Sequence, residues 1–304
     1  MRKKIVMPSS KDSRIAALPA HLQEILRRRL AGQATQSDAI PVVDRTEPLP
    51  LSFSQQRLWF LNEIQPGSAY NSGLAVRLRG ALHVPALTAA LRDLVARHDA
   101  LRTSFDEVDG RGVQVVHPAA DITLQVMERP EVAVSTDAAL DEVLTAEYTR
   151  PFDLRQWPLL RALLVRLADD DHVLLLTAHH IVTDGWSMGV LMEELGALYS
   201  AARQQRSAEL PELPVQYPDF ASWQRNQLSG PALTAELDYW TRQLSGIAPL
   251  ELPTDRPRPQ VHTSAGAVAN FVVPAEVTAR LGELARAQET TLFTVLLAAC
   301  QVLF

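Results

Sequence analysis

The chain has 304 residues, of which 47% are hydrophobic, and a formal net charge of -6 at pH 7. This length and composition provide enough apolar material for a sizeable core and favour more than one domain or lobe. The mild acidity argues against a nucleic-acid partner, because nucleic-acid binders usually carry a basic excess. The single cysteine, Cys300, excludes a disulfide framework within the chain and fits a reducing cytoplasm.

The sequence contains no apolar stretch long enough to cross a bilayer. Its most apolar segment, residues 291–304, is shorter than the roughly 20 residues that a membrane-spanning helix needs. The basic start at residues 1–4 is not followed by the apolar core of a signal peptide. We therefore expect a cytoplasmic protein with no membrane partner.

The first 50 residues predict a helical extension and a linker. Leu18, Leu22, Leu26 and Leu30 recur at helical spacing, and Gly32 is placed to end the helix. Residues 1–32 are therefore either a docking segment for a partner protein or a helix with a solvated basic face. Residues 33–50 are polar and contain three prolines, which predicts a linker.

From Leu51 onward, helices and strands follow each other without the regular order of βαβ units, which indicates an α/β or α+β fold. Apolar spacing predicts helices at residues 54–61, 85–98, 140–148, 186–202, 233–244, 274–287 and 291–304. Extended patterns predict strands at residues 74–79, 103–105, 113–116, 159–167, 173–178 and 268–273, with a hairpin turn at 168–172. Two proline-containing connections are predicted at residues 210–223 and 249–259.

The clearest chemical signal is the run His-His-Ile-Val-Thr-Asp-Gly at residues 179–185, between a predicted buried strand and a predicted helix. Histidine is the usual proton-handling side chain near neutral pH. Successive residues that leave a strand point to opposite faces, so one histidine can face a cleft while the other packs inward. We assign the supporting position to His179 and the working position to His180.

Two other chemistries for this run are less favoured. Adjacent histidines rarely converge on one ion, so the sequence predicts no metal site. Residues 185–189 match the pattern Gly-x-Ser-x-Gly around Ser187, but a nucleophile elbow requires a strand directly before the first glycine. A histidine-bearing loop stands there instead, so we interpret the match as a coincidence.

Asp184 and Gly185 leave several interpretations open. The Asp184 carboxylate could act as a catalytic acid, pair with a cation in the interior, or cap the helix that starts near Trp186. Gly185 would permit an unusual backbone angle and a close approach of substrate. Backbone N–H groups at the start of that helix could stabilise a developing oxyanion.

The run resembles the His-His-x-x-x-Asp-Gly motif of the condensation domains of nonribosomal peptide synthetases. Four further segments resemble motifs of that family, in the same order, at residues 52–61, 97–105, 217–223 and 252–259. The resemblance implies a chloramphenicol-acetyltransferase-like fold of two lobes, with the histidine motif in a tunnel between them. It implies an N-terminal lobe at residues 51–225, followed at 226–304 by a connector and the start of the C-terminal lobe. Because the chain ends inside a predicted apolar helix, we expect that second lobe to be only begun.

The resemblance also assigns roles to individual residues. His180 matches the second motif histidine and would accept the proton of an attacking amine or hold the amine by a hydrogen bond. Asp184 matches an aspartate that pairs with an arginine of the second lobe, which we place beyond Phe304. Arg57 and Arg102 match motif arginines that support the site, and Trp186 and Ser187 are assigned the same supporting role.

The residues after the motif suggest a subtype. Trp186 and Ser187 look like those of domains that condense L-configured donors, or of starter domains that use a fatty acid. Heterocyclising relatives replace the histidines by aspartates, and this chain does not.

The implied reaction is amide formation between an upstream acyl or peptidyl thioester and the α-amine of a downstream aminoacyl thioester. Donor and acceptor carrier proteins would deliver both substrates on 4'-phosphopantetheine arms, and the chain itself would bind no cofactor. An upstream synthetase subunit would dock through residues 1–32. Two alternatives remain: an inactive piece that only binds carriers, and an acyltransferase of the same fold that uses a free hydroxyl or amine.

Overall fold

The computed structural model of the protein describes residues 39–118, 122–128, 137–252, 254–257, 260, 269 and 271–303. The helix predicted at residues 18–30 and the docking role predicted for residues 1–32 lie outside the described residues. The chain divides into two compact units, of which the first ends at Thr234 and the second begins at Ala235. The predicted lobe boundary at residue 225 falls inside a helix, and the first unit continues past it.

The helices of the described chain are α1 (Phe53–Ile64), α2 (Val84–Arg97), α3 (Asp137–Tyr148), α4 (Gly185–Arg203), α5 (Tyr217–Gln227), α6 (Gly230–Gln243), α7 (Ala275–Ala287) and α8 (Leu292–Leu303), with a 3₁₀ turn at Asp99–Arg102. The strands are β1 (Leu49–Pro50), β2 (Asn71–Arg79), β3 (Thr103–Val108), β4 (Arg111–Val116), β5 (Leu124–Met127), β6 (Leu160–Ala168) and β7 (Asp171–His179). In the second unit, α7 and α8 contact each other.

The larger sheet of the first unit has the strand order β2-β7-β6-β5. Strand β7 pairs antiparallel with both β2 and β6, while β5 pairs parallel with β6. The register sets Asn71 opposite His179 at one end of the β2–β7 ladder and Arg79 opposite Asp171 at the other. A smaller antiparallel sheet has the order β1-β4-β3.

Strand β7 is covered on both faces, because side chains that alternate along it enter two different apolar clusters. Leu174 and Leu176 pack with α2 and α4 on one face. Leu175 packs on the other face with Leu163, and Leu140 of α3 lies against them. This two-sided burial explains why the sequence of β7 is a continuous apolar run rather than an alternating one.

Most predicted helices and strands of the described chain are confirmed, and two segments are wrong. The predicted connection at residues 210–223 contains the start of α5, because Pro218 lies in the first helical turn, where its missing N–H costs nothing. The strand predicted at residues 268–273 is not formed by residue 269 or residues 271–273, the part of it that the structure describes.

Residues 39–50 of the predicted linker pack onto the first unit. Strand β1 pairs with β4, and Arg45 makes ion pairs with Asp99 and Asp219.

Within the described residues, no helix combines the length and the hydrophobicity that a membrane span requires.

Truncation of Leu176 to alanine should destabilise the first unit. The side chain is fully buried in the centre of the sheet, and such truncations cost about 2–5 kcal/mol of unfolding free energy. Urea denaturation at pH 7 measures this loss, with Ile64→Ala as the control, because Ile64 is 65% exposed. A loss of similar size in both variants would contradict the assigned core.

Candidate active site

The two motif histidines lie where β7 ends, just before the loop that leads to the start of α4 at Gly185. The backbone N–H of His179 donates to the Leu159 carbonyl at 3.1 Å, and that of His180 donates to the Tyr70 carbonyl at 2.8 Å. The His179 residue is 1% exposed, whereas His180 is exposed. The alternation of the strand therefore sends one histidine into the protein and the other out of it, as the sequence predicted.

His179 is a neutral, buried imidazole. Its Nδ1 accepts a hydrogen bond from the backbone N–H of Ile181 at 3.1 Å, so the ring hydrogen is assigned to Nε2. The Phe152 ring meets it edge-on, with 6.3 Å between the ring centroids. Burial, and to a smaller extent the nearby His180, lower the pKa of His179 to about 4. The residue is uncharged at pH 7 and supports the backbone of the loop.

A cation lies behind the aromatic ring that packs on His179. The guanidinium carbon of Arg161 is 3.8 Å from the centroid of the Phe152 ring, and Arg161 Nε donates to the Glu147 carboxylate at 2.6 Å. This arrangement fixes Phe152 in a cation–π contact. Neither Phe152 nor Arg161 was predicted as a site residue, although an arginine within the apolar strand β6 was a usable signal.

His180 lines a cavity of about 230 Å³. Its ring makes no hydrogen bond with any residue in the described part of the chain, so both ring nitrogens are available to a substrate. The cavity is lined by Ser54, Arg57, Leu58, His180, Ile181, Val182, Thr183, Asp184, Ser187 and Tyr217. Six of these were not predicted as site residues: Ser54, Leu58, Ile181, Val182, Thr183 and Tyr217.

The two predicted supporting arginines have different positions. Arg57 lines the cavity and makes no ion pair with the described residues. Arg102 is not among the lining residues of this cavity and instead donates to the Asp99 carboxylate at 2.5 Å and to the carbonyl of His117. Any support from Arg102 is therefore indirect, through the backbone and Asp99.

Asp184 caps helix α4, one of the roles that the sequence left open. Its Oδ1 accepts hydrogen bonds from the backbone N–H of Ser187 at 2.7 Å and from the Ser187 hydroxyl at 2.5 Å. These bonds from Ser187 hold the pKa of the Asp184 carboxyl below its usual range. The side chain is exposed, so the interpretation as a carboxylate in the interior is wrong for the described chain. Its pairing with an arginine of a second lobe remains a prediction.

Gly185 is not in an unusual backbone conformation, so that expectation is wrong. Its φ lies outside the left-handed region, because it is the first residue of α4. A Cβ added there would meet open space, which leaves room for a substrate. The start of α4 is a poorer site for an oxyanion than expected. The Ser187 amide already donates to Asp184, and the Asp184 carboxylate places a negative charge at the helix N-terminus.

A second cavity of about 250 Å³ shares Val182, Thr183, Ser187 and Tyr217 with the cavity of His180. Trp186 borders this second cavity and is 85% exposed. Ser187 therefore lies between the two cavities, while Trp186 borders only the second. In the part of the chain that the structure describes, no three His, Cys, Asp or Glu side chains lie close enough to hold a metal ion.

Comparison with known proteins identifies the class to which this fold and motif belong. The family model described as "Condensation domain" matches residues 46–304. The chain therefore belongs to the condensation domain family, as its ordered motifs indicated.

Three relatives illustrate the similarity. The chain is 46% identical over 272 residues to a linear gramicidin synthase of Brevibacillus parabrevis, a match that covers 88% of this chain and 5% of that protein. The teicoplanin X-domain, solved in complex with OxyB, is 32% identical with a TM-score of 0.72 and covers 85% of this chain and 57% of its own. SgcC5 from Streptomyces globisporus is 34% identical with a TM-score of 0.64, over 84% of this chain and 59% of its own.

These matches decide the fold and its extent. The predicted mixed α/β, chloramphenicol-acetyltransferase-like fold is confirmed, and the chain spans part of it. The chain also spans only a small part of the length of the gramicidin synthase that it matches.

The pKa of His179 makes the stability of the first unit depend on pH. Between the unfolded value near 6.5 and the folded value of about 4, the unfolded chain binds a proton that the folded chain does not. The free energy of unfolding should therefore fall as the pH drops through this window, by ~2 kcal/mol between pH 7 and pH 5. The control His179→Asn keeps an acceptor for the Ile181 amide but does not titrate. The free energy of unfolding is measured by urea denaturation at pH 7 and at pH 5. An equal decrease in the wild-type and His179→Asn proteins would contradict the lowered pKa assigned to His179.

Removal of the Asp184 cap should weaken α4. Asp184→Ala leaves the Ser187 amide without its acceptor and should lower the unfolding free energy by about 1 kcal/mol. Asp184→Asn keeps a side-chain oxygen at this position and should lose much less. Chemical denaturation measures the unfolding free energy of both variants. Equal decreases in Asp184→Ala and Asp184→Asn would show that the capping bond does not stabilise α4.

Proposed function

We propose that the chain forms amide bonds within a nonribosomal peptide synthetase. The donor is an upstream acyl or peptidyl thioester, and the acceptor is the α-amine of a downstream aminoacyl thioester. The observation that carries this proposal is the His180 ring, which opens onto a cavity and is free of hydrogen bonds to the described residues. Its neighbour His179 is neutral and buried, so of the two motif histidines it is His180 that is placed to exchange a proton with a substrate in that cavity.

The chemistry needs one proton to be moved. The α-amine has a pKa of about 8 and attacks the thioester carbonyl in its uncharged form. A carbon–nitrogen bond forms and the carbon–sulfur bond breaks, so the nitrogen must lose a proton and the departing sulfur must gain one. His180 is placed either to carry that proton or to hold the amine at the carbonyl, and alignment of two tethered substrates supplies much of the remaining rate.

The size of the cavity fits the reacting ends of the substrates and excludes whole carriers. Ligand pockets for drug-sized molecules are about 300–1,000 Å³, and the cavity of His180 is about 230 Å³. An aminoacyl group fits such a space, while its carrier stays outside. We propose that donor and acceptor carrier proteins deliver their thioesters on 4'-phosphopantetheine arms, with no cofactor bound by this chain.

We propose a cytoplasmic setting for this reaction. The exposed free thiol at Cys300 is compatible with a reducing compartment. Docking of an upstream synthetase protein through residues 1–32 remains a proposal supported by the helical spacing of their leucines.

A second candidate is acyl transfer to a free acceptor. SgcC5 was solved in complex with (R)-(-)-1-(2-naphthyl)-1,2-ethanediol, a small molecule with two hydroxyl groups. A free alcohol or amine would reach an open cavity such as that of His180 without a carrier.

The third candidate is a non-catalytic domain whose surface binds a partner protein, since the X-domain was solved in complex with OxyB.

Substitution of His180 tests the proposed reaction. In the whole native protein, supplied with loaded donor and acceptor carriers, His180→Ala should lower the rate of amide formation by about 100-fold or more. The melting temperature should change little, because the side chain is exposed. Amide formation is measured by mass spectrometry of the acceptor carrier after a single turnover.

His180→Gln is the matched variant, because glutamine can hold an amine by a hydrogen bond but cannot carry a proton. Activity that survives in the glutamine variant alone would assign His180 a positioning role. Unchanged activity in both variants would contradict the proposed site. Product formed equally well with a free acceptor would favour the second candidate, and no product with wild-type protein would favour the third.

A further inference from the structure

A charge cluster joins Arg45, in the segment that precedes α1, to two buried carboxylates. The guanidinium of Arg45 donates through Nη1 and Nη2 to the two carboxylate oxygens of Asp219, at 2.6 and 2.9 Å. Its Nε donates to Asp99 at 3.0 Å. Asp219 is 1% exposed and Asp99 is 5% exposed, so both carboxylates are nearly removed from water. One arginine thus joins two buried acids from distant parts of the sequence.

The cluster fixes the chain directly before α5. Asp219 accepts a hydrogen bond from the backbone N–H of Gln216 at 2.8 Å, and another from that of Val43 at 2.8 Å. The Gln216 side chain accepts from the Asp99 amide at 3.0 Å and donates to the Arg97 carbonyl at 3.0 Å. The main chain and the side chain of Gln216 are therefore both held, and the residue that follows is Tyr217.

Tyr217 lines both cavities at the active site. Its hydroxyl lies 3.0 Å from the Ser52 hydroxyl, and Ser52 caps helix α1. Helix α1 carries Arg57 and Leu58, which also line the cavity of His180. A displacement of Tyr217 would therefore alter the boundary that the two cavities share and loosen a contact to the N-terminus of α1.

We propose that Arg45 is a positioning residue of the active site and acts by holding Tyr217 in the wall of the cavity of His180. The inference rests on the proposed function and adds to it a residue from the segment before α1. Arg45 is not among the residues that line that cavity. It acts through Asp219 and Gln216.

The chemistry of the cluster requires an arginine. Loss of one partner of a buried ion pair leaves an uncompensated charge, which is strongly destabilising. Burial acts to raise the pKa of the Asp219 carboxyl, but the bonds from Arg45 and from the backbone amides of Gln216 and Val43 together keep that pKa below its usual range. Lysine keeps the positive charge but cannot bond both oxygens of Asp219 and one of Asp99 with a planar fork. Arg45→Lys therefore relaxes the geometry while retaining the charge.

A double-mutant cycle tests whether Arg45 acts through Tyr217. In the whole native protein, Arg45→Lys should lower kcat for amide formation by about 10- to 100-fold, and Tyr217→Ala should have an effect of similar size. The double variant should be no slower than Tyr217→Ala within about 2-fold, because the side chain through which Arg45 acts is gone. Tyr217→Ala is tolerable for folding because the residue is 37% exposed.

The control is Arg92→Lys, which changes an exposed arginine that pairs only with its neighbour Asp93 among the described residues. It should leave kcat unchanged. Independent effects of Arg45→Lys and Tyr217→Ala that multiply in the double variant would overturn the proposal. So would an Arg45→Lys protein that melts at a lower temperature but keeps the wild-type kcat below that temperature.

A second readout does not depend on turnover. Fluorotyrosine incorporated at position 217 gives one fluorine resonance, which should shift or broaden in the Arg45→Lys protein and stay unchanged in the Arg92→Lys protein. An unchanged resonance in both would overturn the link between Arg45 and Tyr217. If wild-type protein forms no amide while the resonance responds to Arg45, the proposed function fails and the positional coupling stands.

Discussion

The burial of β7 on both faces is the constraint on which the rest of the structure depends. Leu174 and Leu176 are held against two helices, and Leu175 is held against a third. A strand fixed in this way cannot rotate, so its two-residue period directs His179 inward and His180 outward. Apolar packing in the core therefore fixes the orientation of the exposed His180 side chain.

Three groups of polar contacts then hold the elements around the His180 side chain. Asp184 closes the start of α4, and Phe152 with Arg161 supports the buried His179. The Arg45 cluster fixes the start of α5. The buried charges in these groups are satisfied by hydrogen bonds and by opposite charges, as their low exposure demands. His180 differs in that its ring makes no hydrogen bond with the described residues, so both ring nitrogens remain open to the substrate proposed above.

The sequence predicted the helices and strands well where the apolar pattern is strong, and poorly where turn and cap chemistry decides. Helices α2 and α4 follow from the helical spacing of their apolar residues, and strands β6 and β7 follow from two short apolar runs on either side of a turn. Helix α5 was missed because Pro218 suggested a break, whereas a proline in the first turn is compatible with a helix. Gly185 suggested an unusual backbone angle, whereas at the first position of α4 the chain needs none.

The sequence by itself determined the family, through ordered motifs, and the opposite directions of His179 and His180, through the two-residue period of a strand. Only the tertiary structure decided which side chains meet. Arg45 lies 174 positions from Asp219 and 54 from Asp99, and no local pattern links residues so far apart. Tyr217 joins the site in the same way, through folding that brings the start of α5 against α1. Local periodicity reports which face of an element is buried, whereas the partners on that face depend on how the whole chain packs.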